Sequence, residues 1–230
     1  MNEPILPPAM AQIVEQLSSS PSLPLIVEQF ETILQAERER RQRFYEEMAE
    51  GDKVEFINGQ VMMQSPVKLR HSQASEKLFS LLMAYVSRHD LGYVGHEKLL
   101  VSLTRNDYEP DICYFDQAKT QSFTPVQMKF PPPDLIVEVL SDSTEEVDRG
   151  TKFEDYALHG VGEYWLVNPV DEVVEQYQLE HGAYQLALKA KTGVIESRVV
   201  RGFSIPIRAI FDPAEQIAAL QEIVAGKPSA

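Results

Sequence analysis

An α/β or α+β fold, with a central mixed sheet covered by helices, is what this 230-residue sequence predicts. Three observations lead there. Segments with apolar residues at helical spacing alternate along the chain with short β-type runs. Residues 134–140, DLIVEVL, after the leading Asp134 lack polar alternation except for one carboxylate, as expected of a strand covered on both faces. The segment VEFINGQVMM places two alternating apolar runs around Asn58-Gly59, a strong hairpin signal because both residues tolerate positive φ.

In chain order, residues 1–26 form an arm rich in proline and serine (Pro4, Pro7, Pro8, Pro21, Pro24), with at most one short helical turn. From Leu25 to Glu50, Ile26, Phe30, Ile33 and Leu34 recur at helical spacing and give way to Glu37-Arg38-Glu39-Arg40-Arg41, read as a solvated helix face. The hairpin spans 53–63. A helix over 71–89 places Ala74, Leu78, Leu81, Leu82, Tyr85 and Val86 on one stripe. Strands follow at 94–103, 111–115, 135–140 and 164–167. Between the last two lies one helix, with cap candidates Ser141 to Thr144 and capping-box spacing from Ser143 to Glu146. After the turn at Asn168-Pro169 come strands at 173–179, 183–189 and 194–201. A helix from Pro213 to about Ala225 opens the closing segment, 213–230.

Composition narrows the function. The chain has 21 Lys and Arg against 35 Asp and Glu, a formal charge of −14, which argues against coating nucleic acid or anionic membrane by bulk charge. Residues 109–160 hold 11 acids and four bases, whereas 66–105 hold six bases and three acids and 186–208 hold five bases and one acid. The last two segments are where a phosphate backbone would lie. A single cysteine, Cys113, excludes an intrachain disulfide framework or a multi-thiolate zinc site and fits a reducing cytoplasm. No apolar run is long enough to span a bilayer, and MNEPILPPAM lacks signal-peptide regions. The five histidines show no ligand pair on one helix, and no phosphate-cradling glycine loop or nucleophile elbow occurs.

Two carboxylates stand out. Glu138 interrupts an apolar strand, where an unpaired charge costs several kcal/mol. Asp111 follows Pro110 at the mouth of a second buried run, ICYF, and adjacent strands would bring the two acids close enough to share a cation. Lys152, on the following helix with Asp148, Arg149 and Tyr156 at spacings of three and four, can lean over the strand ends. Carboxylates for Mg²⁺ with a lysine beside the developing charge are equipment for phosphodiester hydrolysis.

The strings PPPDLIVEVLS, DRGTKFEDYALHGVGEYWLVNP, VEFINGQVM, RHSQASEKL and EPDICYF resemble the Uma2 family of endonuclease-like proteins, once a domain of unknown function abundant in cyanobacteria. That family falls within the PD-(D/E)XK superfamily. The resemblance covers about 27–212 and implies a restriction-endonuclease-like domain whose mixed sheet is flanked by helices. It implies an endonuclease that cuts DNA with Mg²⁺ or Mn²⁺, held by Asp111 and Glu138, and a possible homodimer. The usual lysine two residues after the acid is replaced by Leu140, so Lys152 is the migrated substitute. A further acid from an early element is implied: Glu55 or Glu76, with Glu55 favoured because it sits between Val54 and Phe56. DNA binding should be weak and salt-sensitive, given the charge. The alternative is a catalytically silent nucleic-acid- or protein-binding module that keeps the fold. His71, just before the helix, is read as a cap or surface residue.

Overall fold

The computed structural model describes residues 8–49, 53–63 and 65–226; the outermost parts of the arm and of the closing tail lie outside them. The arm is more helical than its prolines suggest. Helix α1 spans Pro8–Ser18, and α2 spans Leu23–Glu47 with proline in its first turn, where the missing N–H costs nothing. The Glu-Arg run of α2 is solvated only in part: Arg38, Glu39 and Arg40 are exposed, whereas Glu37 and Arg41 turn to the protein. Glu37 is buried and takes a two-pronged contact from Arg105, while Arg41 reaches Asp107 at 2.5 and 2.8 Å and three backbone carbonyls. The partners lie over 60 residues away, so the run is a clamp that seats α2 on the sheet.

Strands β1 (Val54–Ile57) and β2 (Gln60–Met63) form the expected hairpin, with Asn58 at φ 49° and Gly59 at φ 79°. β1 is wholly buried and β2 wholly exposed. Arg40 donates to the Gly59 carbonyl at 2.9 Å, and a Cβ on Gly59 would lie 2.9 Å from the Arg40 and Glu37 side chains. Helix α3 (Leu69–His89) buries Ala74, Leu78, Leu81, Leu82 and Val86 as the stripe requires.

The next stretch departs from expectation. Instead of one strand over 94–103 there are two, β3 (Gly92–His96) and β4 (Leu100–Ser102), separated by Glu97 and Lys98 at φ 47° and 45°. The returning chain is also split, into β5 (Asp107–Tyr108) and β6 (Ile112–Asp116), around Glu109-Pro110-Asp111. Because β3 pairs with β6 and β4 with β5, these four strands are one long hairpin bent in the middle, with its two halves in different sheets. Positive φ on one arm and a proline on the other interrupt the ladder at the same level.

After the short α4 (Gln117–Thr120) and β7 (Lys129–Phe130) comes β8 (Leu135–Val139), buried throughout. The single helix expected next is two, α5 (Glu145–Arg149) and α6 (Thr151–Leu158), broken at Gly150. Thr144 stands at the N-cap of α5 without a side-chain cap bond, so the capping box does not form. Strands β9 (Glu163–Asn168), β10 (Val173–Glu180) and β11 (Ala183–Ala190) complete the larger sheet. The expected strand over 194–201 stops early as β12 (Val194–Glu196) and pairs with β13 (Ser204–Pro206). A 3₁₀ turn at Ile207–Ile210 leads to α7 (Pro213–Ala225), capped by the Asp212 carboxylate accepting from Ala214 and Glu215 N–H.

The six-stranded sheet runs β11-β10-β9-β8-β6-β3, with β8 and β9 parallel and the other pairs antiparallel; the five-stranded sheet runs β2-β1-β5-β4-β7. Period-two alternation divides the core. Ile112, Tyr114, Val137, Val139 and Trp165 pack beneath α3 and α7, whereas Cys113, Phe115, Ile136 and Tyr164 pack with Tyr156 of α6 and with Val101 and Tyr108 of the smaller sheet. No described helix is long and apolar enough to cross a membrane. Gly59→Ala, which forces a Cβ into a left-handed, crowded position, should lower unfolding free energy by about 1–3 kcal/mol. Urea denaturation reads this, and an unchanged midpoint would contradict the α2 seating.

Candidate active site

Strand parity decides which side chains meet. Asp111 shares the face of Cys113 and Phe115, and Glu138 shares that of Ile136, so both point toward α6. The pairing Ile112↔Val137 in β6 and β8 places Asp111 across from Glu138. Asp111 is fixed at the hairpin bend, where its carbonyl accepts from Glu97 N–H at 3.0 Å and its Oδ2 from Val139 N–H at 2.8 Å. Glu55 arrives from the other sheet. Its Oε1 accepts from the Glu109 N–H at 3.0 Å, while Glu109 Oε2 accepts from the Val54 N–H at 3.1 Å, a reciprocal pair that laces β1 to the bend.

Lys152 joins these pieces. Its Nζ donates to Glu138 Oε1 at 3.0 Å and lies 3.0 Å from Glu55 Oε1 and 3.2 Å from Asp148 Oδ1, with the ammonium group 2% exposed. Asp148 meets Lys152 as an ion pair from one helical turn away. Tyr156 donates to Glu138 Oε1 at 3.1 Å. Burial opposes charge on Lys152, but Glu138, Glu55 and Asp148 outweigh it and push its pKa well above the usual lysine value. One ammonium cannot neutralise three carboxylates. Burial, together with the charges of Asp148, Asp111 and Glu55, therefore lifts Glu138 to about 8 despite Lys152.

Asp111 goes the other way. Burial raises its pKa, yet the His71 hydrogen bond at 3.3 Å, Lys53 at 3.0 Å and the Val139 N–H hold the carboxyl well below the usual range. One buried acid is thus kept ionised beside another that tends to hold a proton. Asp111, Glu138, Asp148, Lys152 and His71 line a small cleft of about 20 Å³, room for about one water-sized particle. Glu55 reaches Lys152 from an adjoining cleft bounded by Ile57, Met62 and Met63.

The structure therefore brings together Asp111, Glu138, Lys152 and Glu55, and leaves Glu76 exposed on α3. The reading of Glu55 as an acid that breaks an apolar strand matches its burial. His71 is neither cap nor surface: it is buried within α3 and bonded to Asp111. Lys53, Glu109 and the inward direction of Asp148 went unread. Asp148 had a signal, its i, i+4 spacing to Lys152; Lys53 had none, because its partner is 58 residues away.

Among the described residues no group of three or more His, Cys, Asp and Glu side chains is placed to hold a metal ion. The donor set of Asp111 and Glu138 nonetheless fits Mg²⁺ in kind, since that ion takes hard oxygens and commonly uses one or two carboxylates plus waters and substrate phosphate.

These side chains sit on a mixed α/β sheet flanked by helices. The crystal structure, at 1.96 Å, of a "putative nuclease belonging to DUF820" from Anabaena variabilis shares it: TM-score 0.64 over 77% of this chain and 96% of that one, at 16% identity. The chain belongs to the Uma2 family, described as "Putative restriction endonuclease", whose model matches residues 40–208. Two Synechocystis relatives are uncharacterised proteins. One, slr1290, is 30% identical over 168 residues (70% of this chain, 79% of the relative); the other, sll1609, is 29% identical over 130 residues (55% and 72%).

A pH prediction follows from Glu138, titrating near 8 in the fold against 4.5 as a free side chain. The folded state keeps that proton between these values while the unfolded chain releases it. Its contribution to stability is complete below pH 4.5 and falls as pH rises toward 8. Glu138→Gln cannot ionise, so in buffer free of divalent ions its stability relative to wild type should rise from acid toward pH 8, read by urea denaturation. A constant difference across that range would contradict the assignment.

Proposed function

We propose that the protein is an endonuclease that hydrolyses DNA phosphodiester bonds with Mg²⁺ or Mn²⁺. One observation carries the reading: Asp111 and Glu138 face each other on adjacent strands and open on the same small cleft, with Lys152 bonded to Glu138. These two carboxylates would hold the ion. When bound, it supplies Lewis-acid polarisation of the phosphoryl oxygen and a more acidic water.

The chain's own groups have separable tasks. Lys53 and His71 keep Asp111 ionised. Lys152 stays protonated, so it is a fixed cation that orients water and stabilises the pentavalent charge, and it does not take the water's proton. Glu55 and Asp148 hold that ammonium in place, and Tyr156 orients Glu138. Basic segments 66–105 and 186–208 give the backbone a place to lie without making the protein a strong polyanion binder. The second reading, a catalytically silent binding module, draws on the internal pairing of every site carboxylate with a lysine, histidine or N–H of the chain itself.

Asp111→Ala and Glu138→Ala, each purified folded and assayed on plasmid and linear DNA with Mg²⁺ or Mn²⁺, should lose cleavage by about 10²-fold or more. Cleavage that persists in both variants would overturn the site; a wild type that binds DNA without cutting it under any of these conditions would favour the silent module.

A further inference from the structure

Beside the catalytic cleft lies a second, larger depression of about 240 Å³, with Lys68, Arg70 and His71 on one wall and Ser141 and Ser143 on the other. His71, Ser141 and Ser143 line both, so the two are continuous neighbours. We infer that this depression is a phosphate subsite, which holds a backbone phosphodiester of the nucleic acid next to the one that is cut. Its occupant's identity rests on the nuclease reading; its capacity to take a phosphate does not.

Three observations converge. The depression sits at the N-terminus of α3, a 21-residue helix whose cap residue, Lys68, supplies no side-chain cap bond. The His71 N–H is already taken by the Lys68 carbonyl at 2.9 Å, so what the helix start offers an anion is its dipole and the donors ahead of His71. Second, His71 is 5% exposed and spends Nε2 on Asp111, while its Nδ1 is buried with no partner. Such atoms are rare in folded proteins, and because Nδ1 is itself enclosed, a water bridging it to the depression that His71 lines would complete the network. Third, the charge balance favours an anion: Lys68 and Arg70 both act on Asp142, two cations against one exposed carboxylate, and Lys68 holds it at 2.6 Å.

The chemistry suits phosphate in particular. A strand whose scissile phosphate lies against Asp111 and Glu138 carries its next phosphate one nucleotide along. Among the described residues, His71, Ser141 and Ser143 line both depressions, together with Ser65 and Val67. A donor-rich, cationic rim at that spot positions the backbone and contributes no base readout.

The test uses the full chain free of metal. Inorganic phosphate is titrated against chloride at matched ionic strength, with NMR of the His71 imidazole and the Arg70 amide. Saturable shifts are expected, and they should vanish in Arg70→Glu; absence of saturable shifts overturns the subsite. Binding of a short labelled duplex is then measured across salt concentrations. Arg70→Ala and Lys68→Ala should each weaken it about tenfold and reduce the log–log salt slope by about one. Wild-type affinity and slope in both variants, with unchanged thermal melts, would overturn it too. The two readings fail separately. Loss of cutting in Asp111→Ala without phosphate shifts sinks only the subsite; phosphate shifts at Arg70 with cutting retained in Asp111→Ala and Glu138→Ala support the subsite and sink the catalytic assignment.

Discussion

The structure turns on one desolvated ammonium. Lys152 is buried against Glu55, Glu138 and Asp148, which come from the smaller sheet, the larger sheet and the preceding helix. Removing an ammonium and its carboxylates from water is costly, and in general a buried ion network is weak evidence for stability. What such a network supplies is mutual dependence: all three carboxylates rely on the one ammonium, and removing it would strand them together. The larger sheet, β1 and the α5–α6 pair are thereby held at one relative position, and the cleft exists because they are.

The bent hairpin explains why the cleft falls where it does. Strands β3 to β6 pass from one sheet to the other, and the ladder is interrupted at Glu97-Lys98 on one arm and Glu109-Pro110-Asp111 on the other. The interruption leaves Asp111 just ahead of β6, on the face that alternation assigns it, where its carboxylate accepts a backbone N–H from β8 and faces Lys53 and His71. Two neighbouring acids consequently sit in opposite electrostatic states, Asp111 stabilised as an anion and Glu138 drawn toward its proton. A cation entering the cleft would find one ligand ready and one that must release a proton. Were Asp111 and Glu138 to hold an ion as proposed, its uptake would depend on pH.

How much of this was legible depends on the range of each interaction. The Asn58-Gly59 hairpin is a local property of two residues, and β8 declares itself because seven consecutive positions offer only two carboxylates, Asp134 and Glu138. Glu138 was readable for the same reason, as a charge where none is tolerated unpaired. Lys152 followed from helical spacing even though Gly150 breaks the helix. The sheet switch was not readable, since Glu97 and Lys98 adopt positive φ without being glycine or asparagine. Nor was the clamp of α2, because the partners of Glu37 and Arg41 are 68 and 66 residues distant. Partners that far apart leave no trace in periodicity, and the same distance hid Lys53 from Asp111.

The most direct measurement of the central claim is Mn²⁺ binding followed by electron paramagnetic resonance, on the wild type and on Asp111→Asn. The account predicts saturable binding of one ion per chain, strengthened as pH rises through the region where Glu138 gives up its proton, and lost in Asp111→Asn. No saturable binding by the folded wild type, or equal binding by the variant, would contradict it.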